Sequence, residues 1–318
     1  MSQAENNPYK YSDTNKRYQT YDYYLKHRFG KKCAKITLDL GFSCPNIDGT
    51  RGFGGCIYCL GGSKSESCRE VKGLREQYQL GISQAMSKWQ VDSFIPYLQA
   101  YTNTHTDVDT LKNVLERVSQ LENAVMIDIA TRADCLEKEK LEVINELSKR
   151  IPVTIELGLQ SSDDETAKII NRCHSYMELA CCVDRIRKIA PQVKITIHII
   201  NGLPGENYEK MMKTARDVSI LHPDLIKIHL LHVLEGTPLA KMYKNGEYEP
   251  ISRDEYIKIV CDQIEVLPPD MVIERVTGDG ISSDLLAPAW SRKKVTVIND
   301  IDKELFNRGT YQGIYYQK

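Results

Sequence analysis

A chain of 318 residues, 42% of them hydrophobic, is long enough to bury one large core, and its formal net charge of −1 neither announces nor excludes a nucleic-acid partner. No run of about eighteen apolar residues is present, which argues against a membrane span, and the polar N-terminus MSQAENNPYKYSDTNKRY lacks the apolar centre of a signal peptide. The ten cysteines include a Cys-x-x-Cys pair and otherwise scatter on apolar faces, which fits reduced thiols and a cytoplasmic location better than a secreted disulfide framework.

Residues 1–33 are polar and rich in tyrosine and form an N-terminal extension, part of it a helix across one end of the domain. Residues 34–40 alternate in polarity and carry strand formers, so they give the first strand. Leu74, Tyr78, Ile82, Ala85 and Trp89 then recur at helical spacing. A strand over 94–101 follows, then an amphipathic helix through Leu111, Val114, Leu115, Val118 and Leu121, and a strand over 124–130. The alternation continues with helix 137–149, strand 153–159, helices 164–170 and 177–189, strand 194–200, helix 208–221 and strand 225–231. Six strand–helix units of this kind imply an α/β fold with a parallel sheet and right-handed crossovers. Such sheets bind ligands at the carboxyl ends of their strands. Beyond about residue 235 the rhythm changes to helix 254–267, stopped by Pro268 and Pro269, a strand over 272–276 and a helix over 299–307. We read 34–234 as the central domain and 235–318 as a C-terminal extension that closes its open side.

The chemistry concentrates in CPNIDGTRGFGGCIYC, where Cys44 is followed by eleven residues and then by Cys56 and Cys59. Gly49, Gly52, Gly54 and Gly55 let this loop wrap tightly. A closed zinc site takes four protein ligands, and so does an electron-transfer iron–sulfur cluster. Three thiolates on a four-iron cluster leave one iron open. Spacing alone weighs that reading evenly against a zinc knuckle whose fourth ligand, Cys68 or a histidine, lies elsewhere. Cys68, Cys135, Cys173, Cys181, Cys182 and Cys261 form no further Cys-x-x-Cys pair and read as ordinary thiols.

This loop, with PYLQAYTNTHT, ATRADC, ELGLQS, NRCH, NGLPGE, KIHLLHVLEGTPLA, TGDG, LLAPAWS and GTYQG, resembles the radical S-adenosylmethionine (SAM) superfamily, and within it the YtqA/YhcC-type subfamily and the elongator-type domains. The resemblance runs from about residue 30 to 313. It implies a partial (β/α)6 TIM-type barrel, a [4Fe-4S] cluster on Cys44, Cys56 and Cys59, and cleavage of SAM to a 5′-deoxyadenosyl radical by an electron from a donor such as flavodoxin or ferredoxin. For SAM it implies Tyr58 near the adenine, the segment of Gln99, Tyr101 and Asn103 at the amino group through backbone carbonyls, and Glu156, Gln160 and Ser161 at the ribose or methionine. It further implies Arg172 at the carboxylate, and Gly202 with Glu206 on the adenine side. Cys173 stands where the subfamily usually shows glycine.

On the substrate side, His198 and His229 fall within inner strands and His232 follows one. One such histidine is ordinarily a satisfied core group, whereas several in one barrel imply a polar pocket. Lys227 and Asp39 are candidates to join them. Arg132 with Asp134 reads equally as a site pair or a structural pair, and Asp279 as a pocket cap or a turn. The resemblance implies a transfer RNA (tRNA) substrate, with the 5-carboxymethylaminomethyl group of the wobble uridine converted to aminomethyl. Tyr101, Arg292, Lys293, Lys294 and the terminal tyrosines are the candidate RNA contacts. The alternatives are radical SAM chemistry on a small metabolite or protein, and a non-catalytic zinc- or RNA-binding module.

Overall fold

In a computed structural model that describes residues 7–60, 68, 72–278 and 283–317, the isoleucine- and leucine-rich runs of the chain become the strands of one curled parallel sheet. Its strands are β1 (Ala34–Leu38), β2 (Phe94–Leu98), β3 (Ile127–Thr131), β4 (Val153–Gln160), β5 (Lys194–Asn201), β6 (Leu225–Leu230) and β8 (Val272–Arg275), hydrogen-bonded in that order. All six pairings are parallel. The strands read as continuous apolar runs because helices cover the outer face: α2 (Leu74–Lys88), α3 (Val108–Ser119), α4 (Lys138–Ser148), α5 (Asp164–Ile169), α6 (Tyr176–Ile189) and α7 (Tyr208–Leu221). Side-chain caps start several of them. Asp107, Asp163 and Asn207 accept from the backbone three residues on, and Ser175 forms a capping box with Glu178.

The six expected strand–helix units are all present, and the sheet is wider than six strands. The C-terminal extension supplies β8, which pairs with β6 through Leu225 and Val272. The N-terminal segment then covers the free edge of β8, where Ile273 N donates to Gln19 O at 2.8 Å. The barrel is left open in its hydrogen bonding, but Lys35 of β1 reaches across the interior to Glu274 of β8. Helix α1 (Tyr21–Phe29) seals the amino ends of the strands, packing Leu25 on Ile95 and Met126. A two-stranded antiparallel pair, β7 (Val233–Leu234) with β9 (Leu285–Ala287), and helices α8 (Pro238–Lys244), α9 (Arg253–Val266) and α10 (Lys294–Arg308) complete the chain. The last helix begins five residues before its expected start. Asp279 lies outside the described residues.

Candidate active site

The cysteine loop leaves the carboxyl end of β1 and is tied down by its own backbone. Ile47 and Asp48 donate to Cys44 O at 2.8 and 3.1 Å, and Arg51 and Gly52 donate to Pro45 O at 2.8 and 3.1 Å. Gly52 leaves no room for a side chain, since a Cβ there would sit 2.6 Å from Asn46 Oδ1 and 2.8 Å from Cys173 Sγ. Two asparagines that sequence reading passed over lock the loop to the segment after α5. The fully buried Asn46 donates to Asn171 O and, at 3.6 Å, to Cys56 Sγ. Asn171 Nδ2 answers by donating to Phe53 O at 3.0 Å and Gly55 O at 2.8 Å. Cys56 is buried, and Cys44 and Cys59 are half-buried.

The cysteines lie in a positive field. Arg132 forms a two-pronged pair with Asp134, both contacts 2.8 Å, and its third nitrogen donates to Arg172 O at 2.9 Å. Burial works against its charge, but Asp134 first, then Cys44 and Cys56, hold its pKa above the ordinary value. The Arg132–Asp134 pair is therefore both structural and part of the thiol surroundings. Cys44 and Cys56 both act on Arg132, and Cys56 and Cys59 both act on Tyr58, so the three thiols share one pocket. Among the described residues, the one group of ligand atoms all within 4.8 Å of one another is Asp128, Glu156 and Glu274. The carboxylate group is already matched by Lys35 and Lys227.

The expected SAM wall is partly assembled and partly redirected. Gln99 and Tyr101 follow β2 at the barrel mouth, and Tyr101 takes φ 60°, which ends the strand short of residue 101. Thr102 N donates to Ser43 O at 3.2 Å, fastening this segment to the cysteine loop. The fully buried side-chain amide of Asn103 donates to Leu98 O at 2.8 Å and Ala130 O at 2.9 Å, stitching β2 to β3. Glu156 is buried and held by Lys35, Lys227 and His198. Gln160 and Arg172 instead converge on Gly158, where a Cβ would meet their nitrogens at 2.7 and 2.9 Å. Arg172 donates to Gly158 O, while its buried Nε has no hydrogen-bond partner among the described residues. His174 shares that carbonyl at 3.2 Å, and burial, then Arg172 and Arg132, push its pKa down to about 3.

Ser161 and Glu206 are bonded to each other, and burial raises the Glu206 carboxyl to about 7 against that hydrogen bond. Gly202, at φ 86°, is a packing point for the C-terminal extension: its carbonyl accepts from Tyr248 at 2.7 Å, and a Cβ would meet Ile251 at 2.6 Å. Tyr58 packs against the apolar group that includes Ile170, Leu203 and Tyr248.

Deeper in the barrel, His198 and His229 come together with ring centroids 5.3 Å apart. Lys227 lies beneath them, 2.6 Å from Glu156, 3.1 Å from Glu274 and 3.2 Å from Tyr97 Oη. It is 2% exposed and bonds to the Glu156 oxygen that also lies 3.0 Å from His198 Nε2. Asp39 stays at the rim, where its carboxylate accepts from Gly41 N at 2.9 Å. Sequence reading missed Lys35, Asp128, Tyr97 and Glu274. The available signal was a charged or phenolic residue inside each of several otherwise apolar strands.

The radical SAM superfamily model matches residues 50–218, more than half of the chain, and the radical SAM C-terminal domain model matches residues 223–307. The chain belongs to the radical SAM superfamily. It is 43% identical over 316 residues to the Bacillus subtilis protein YtqA, covering 99% of this chain and 97% of that one. It is 31% identical over 159 residues to the tRNA uridine(34) acetyltransferase of Methanocaldococcus infernus, 49% of this chain and 29% of that one. Among solved structures it shares the fold of Methanocaldococcus infernus Elp3 lacking its N-terminus, with a TM-score of 0.65 at 18% identity over 88% of this chain and 64% of that one.

Radical SAM enzymes use a [4Fe-4S] cluster and SAM, and the donor set of this one fits both. Cys44, Cys56 and Cys59 would hold the cluster, with Asn46 and Arg132 beside them, and Arg172, Gln160 and the 99–102 backbone would receive SAM. When bound, that pair supplies a carbon-centred radical that abstracts hydrogen. The protein's part is to orient the reacting groups and exclude water. No helix among the described residues is long and apolar enough to cross a membrane.

Proposed function

We propose that this radical SAM enzyme acts on tRNA, converting the 5-carboxymethylaminomethyl group of the wobble uridine to aminomethyl by removing the carboxymethyl through hydrogen abstraction. The observation that carries this reading is the 159-residue match to an enzyme named for tRNA uridine 34. The likeness in fold to Elp3 agrees with it. A barrel open at the carboxyl ends of its strands suits a nucleoside turned out of an RNA loop, because chemistry on a base needs the base unstacked. Tyr101 at the mouth offers a stacking surface, whereas Tyr315, whose N donates to Glu265 O just before the start of β8, lies at the opposite, amino end of the strands. The one-electron donor on this reading is a cytoplasmic flavodoxin or ferredoxin.

The test is nucleoside mass spectrometry on tRNA from cells lacking the protein, before and after incubation with reduced, cluster-loaded enzyme and SAM. Loss of the carboxymethylaminomethyl-uridine peak with gain of aminomethyl-uridine is the expected result. An unchanged nucleoside profile from enzyme that cleaves SAM would transfer the assignment to a metabolite or protein substrate, which the net charge of −1 favours.

A further inference from the structure

The barrel interior carries a layer of buried charge. Lys35, Asp128, Glu156, Lys227 and Glu274 come from five strands, and the three carboxylates and Lys227 are almost wholly buried. Desolvating such charges costs several kcal/mol per ion, and an apolar filling of the same volume is commonly as stable. A layer kept against that cost is a place to look for function.

Glu156 is its hub. Its Oε1 accepts from Lys35 at 2.8 Å, and its Oε2 accepts from Lys227 at 2.6 Å. The same Oε2 lies 3.0 Å from Nε2 of His198. Two ammonium groups keep Glu156 ionised, well below the usual carboxylate range in spite of burial. An ionised carboxylate only accepts hydrogen bonds, so the imidazole proton must sit on Nε2. Nδ1 then presents a lone pair, and among the described residues nothing donates to it. His198 pairs in register with Gly158, two residues beyond Glu156 towards the cavity, and its side chain is 17% exposed. The ring therefore bridges the charged layer and the floor of the site.

We propose that His198 is the acid–base group of the substrate reaction and that Glu156, braced by Lys227 and Lys35, positions it. The proposal rests on the reading that the barrel mouth takes a substrate whose conversion breaks a carbon–nitrogen bond. Hydrogen-atom abstraction moves no proton, but releasing an amine does. After hydrogen abstraction at the carbon next to nitrogen, a one-electron acceptor and one water convert that carbon radical to a carbinolamine with release of a proton. The carbinolamine O–H proton then passes to Nδ1, giving an imidazolium held against the Glu156 carboxylate. C=O forms as C–N breaks, and the same proton goes to the departing nitrogen, leaving a primary amine and an aldehyde. No electrons change hands in this proton exchange. Every charged neighbour bears on it. Burial, then Lys227 of β6, keep the resting ring neutral, while Glu156 of β4 and Glu274 of β8 favour the protonated form. His229 of β6 stands beside the ring, and Lys35 of β1 and Asp128 of β3 act through Glu156.

Two measurements on oxidised, cluster-loaded protein and its turnover test this. With 15N-labelled histidine, the His198 resonance, assigned by its loss in His198→Asn, should show a neutral ring protonated at Nε2. Glu156→Gln should mix the tautomers and lower the ring's titration point. In turnover with tRNA from cells lacking the protein, H198N should lower nucleoside product about 100-fold or more, a loss typical of removing an acid–base group. E156Q should lower it at least 10-fold with a displaced pH profile, and both should still release 5′-deoxyadenosine. A ring protonated at Nδ1, or product within about 3-fold of wild type in H198N, would overturn the proposal. If wild-type enzyme cleaves SAM but leaves tRNA unchanged, the substrate reading fails, and the tautomer measurement alone decides this one. Should E156Q fail to fold, the wild-type tautomer and H198N still decide.

Discussion

Cys173 takes φ 60°, a left-handed backbone that L side chains adopt at a cost of about 1–2 kcal/mol and glycine adopts freely. Its thiol lies near Asn171 Oδ1 at 3.4 Å, and burial raises its pKa. A glycine at this position would hold the same backbone without that cost. Cys173→Gly should keep full iron content and change stability by no more than about 1 kcal/mol, because relief of the backbone offsets lost contacts and a freer unfolded chain. Iron analysis and urea unfolding check this; loss of cluster in C173G would make Cys173 part of the iron site. The ligand cysteines were legible in the sequence because a loop carries them in one local pattern. Asn46 and Asn171 were not, since each matters through a partner about 125 residues away. The partners of Glu156 were hidden for a related reason: strand position fixes which face a residue takes, not which charges from other strands meet it there.

At the scale of elements, the strands act as staves that carry single charges into the barrel. Lys227→Met would leave Glu156 and Glu274 short of a cation, and we expect about 3–5 kcal/mol of destabilisation from the uncompensated buried charge. A urea midpoint within about 1 kcal/mol of wild type would show that Lys35 alone balances the layer. Asp128 gives a pH signature. Burial, with Glu156 and Glu274 behind it, pushes its carboxyl up to about 6 against the pull of Lys35. The folded state therefore holds that proton more tightly than the unfolded chain. The stability it contributes is full below the ordinary carboxylate range and is lost as pH rises through about 6. Asp128→Asn removes this dependence, so its stability relative to wild type should rise between pH 4 and pH 7. Urea unfolding at a series of pH values measures it, and a flat difference would contradict the assignment. Each such residue stands out in sequence as a polar interruption of an apolar run. That they meet could not be read there, because curvature of the sheet brings β1 opposite β8.

Over the whole molecule, the two chain ends are stitched into the barrel. Gln312 is fully buried and donates to Pro268 O at 2.6 Å and Met271 O at 2.7 Å, while its oxygen accepts from Gln19 N at 2.9 Å and Tyr9 Oη at 3.1 Å. Gln312→Ala would strand several buried polar groups, and at about 1–3 kcal/mol for each unsatisfied one we expect a loss of about 2–5 kcal/mol. A smaller loss by calorimetry or urea would mean that water replaces the amide. The strand over 272–276 and an extension closing the open side were legible in the sequence; that this strand pairs with β6 in the same sheet was not, because more than forty residues separate them. The six central units were legible because each repeats an apolar strand and an amphipathic helix at close range.

The central claim joins a cluster on Cys44, Cys56 and Cys59 to chemistry on RNA. The measurement that tests it most directly is the yield of 5′-deoxyadenosine from reduced, anaerobically reconstituted enzyme with SAM, with tRNA from cells lacking the protein added or omitted. We expect a yield that rises on adding tRNA and is abolished by Cys→Ala substitution at any of the three positions. No deoxyadenosine from protein with a verified four-iron cluster, or a yield indifferent to tRNA, would contradict it.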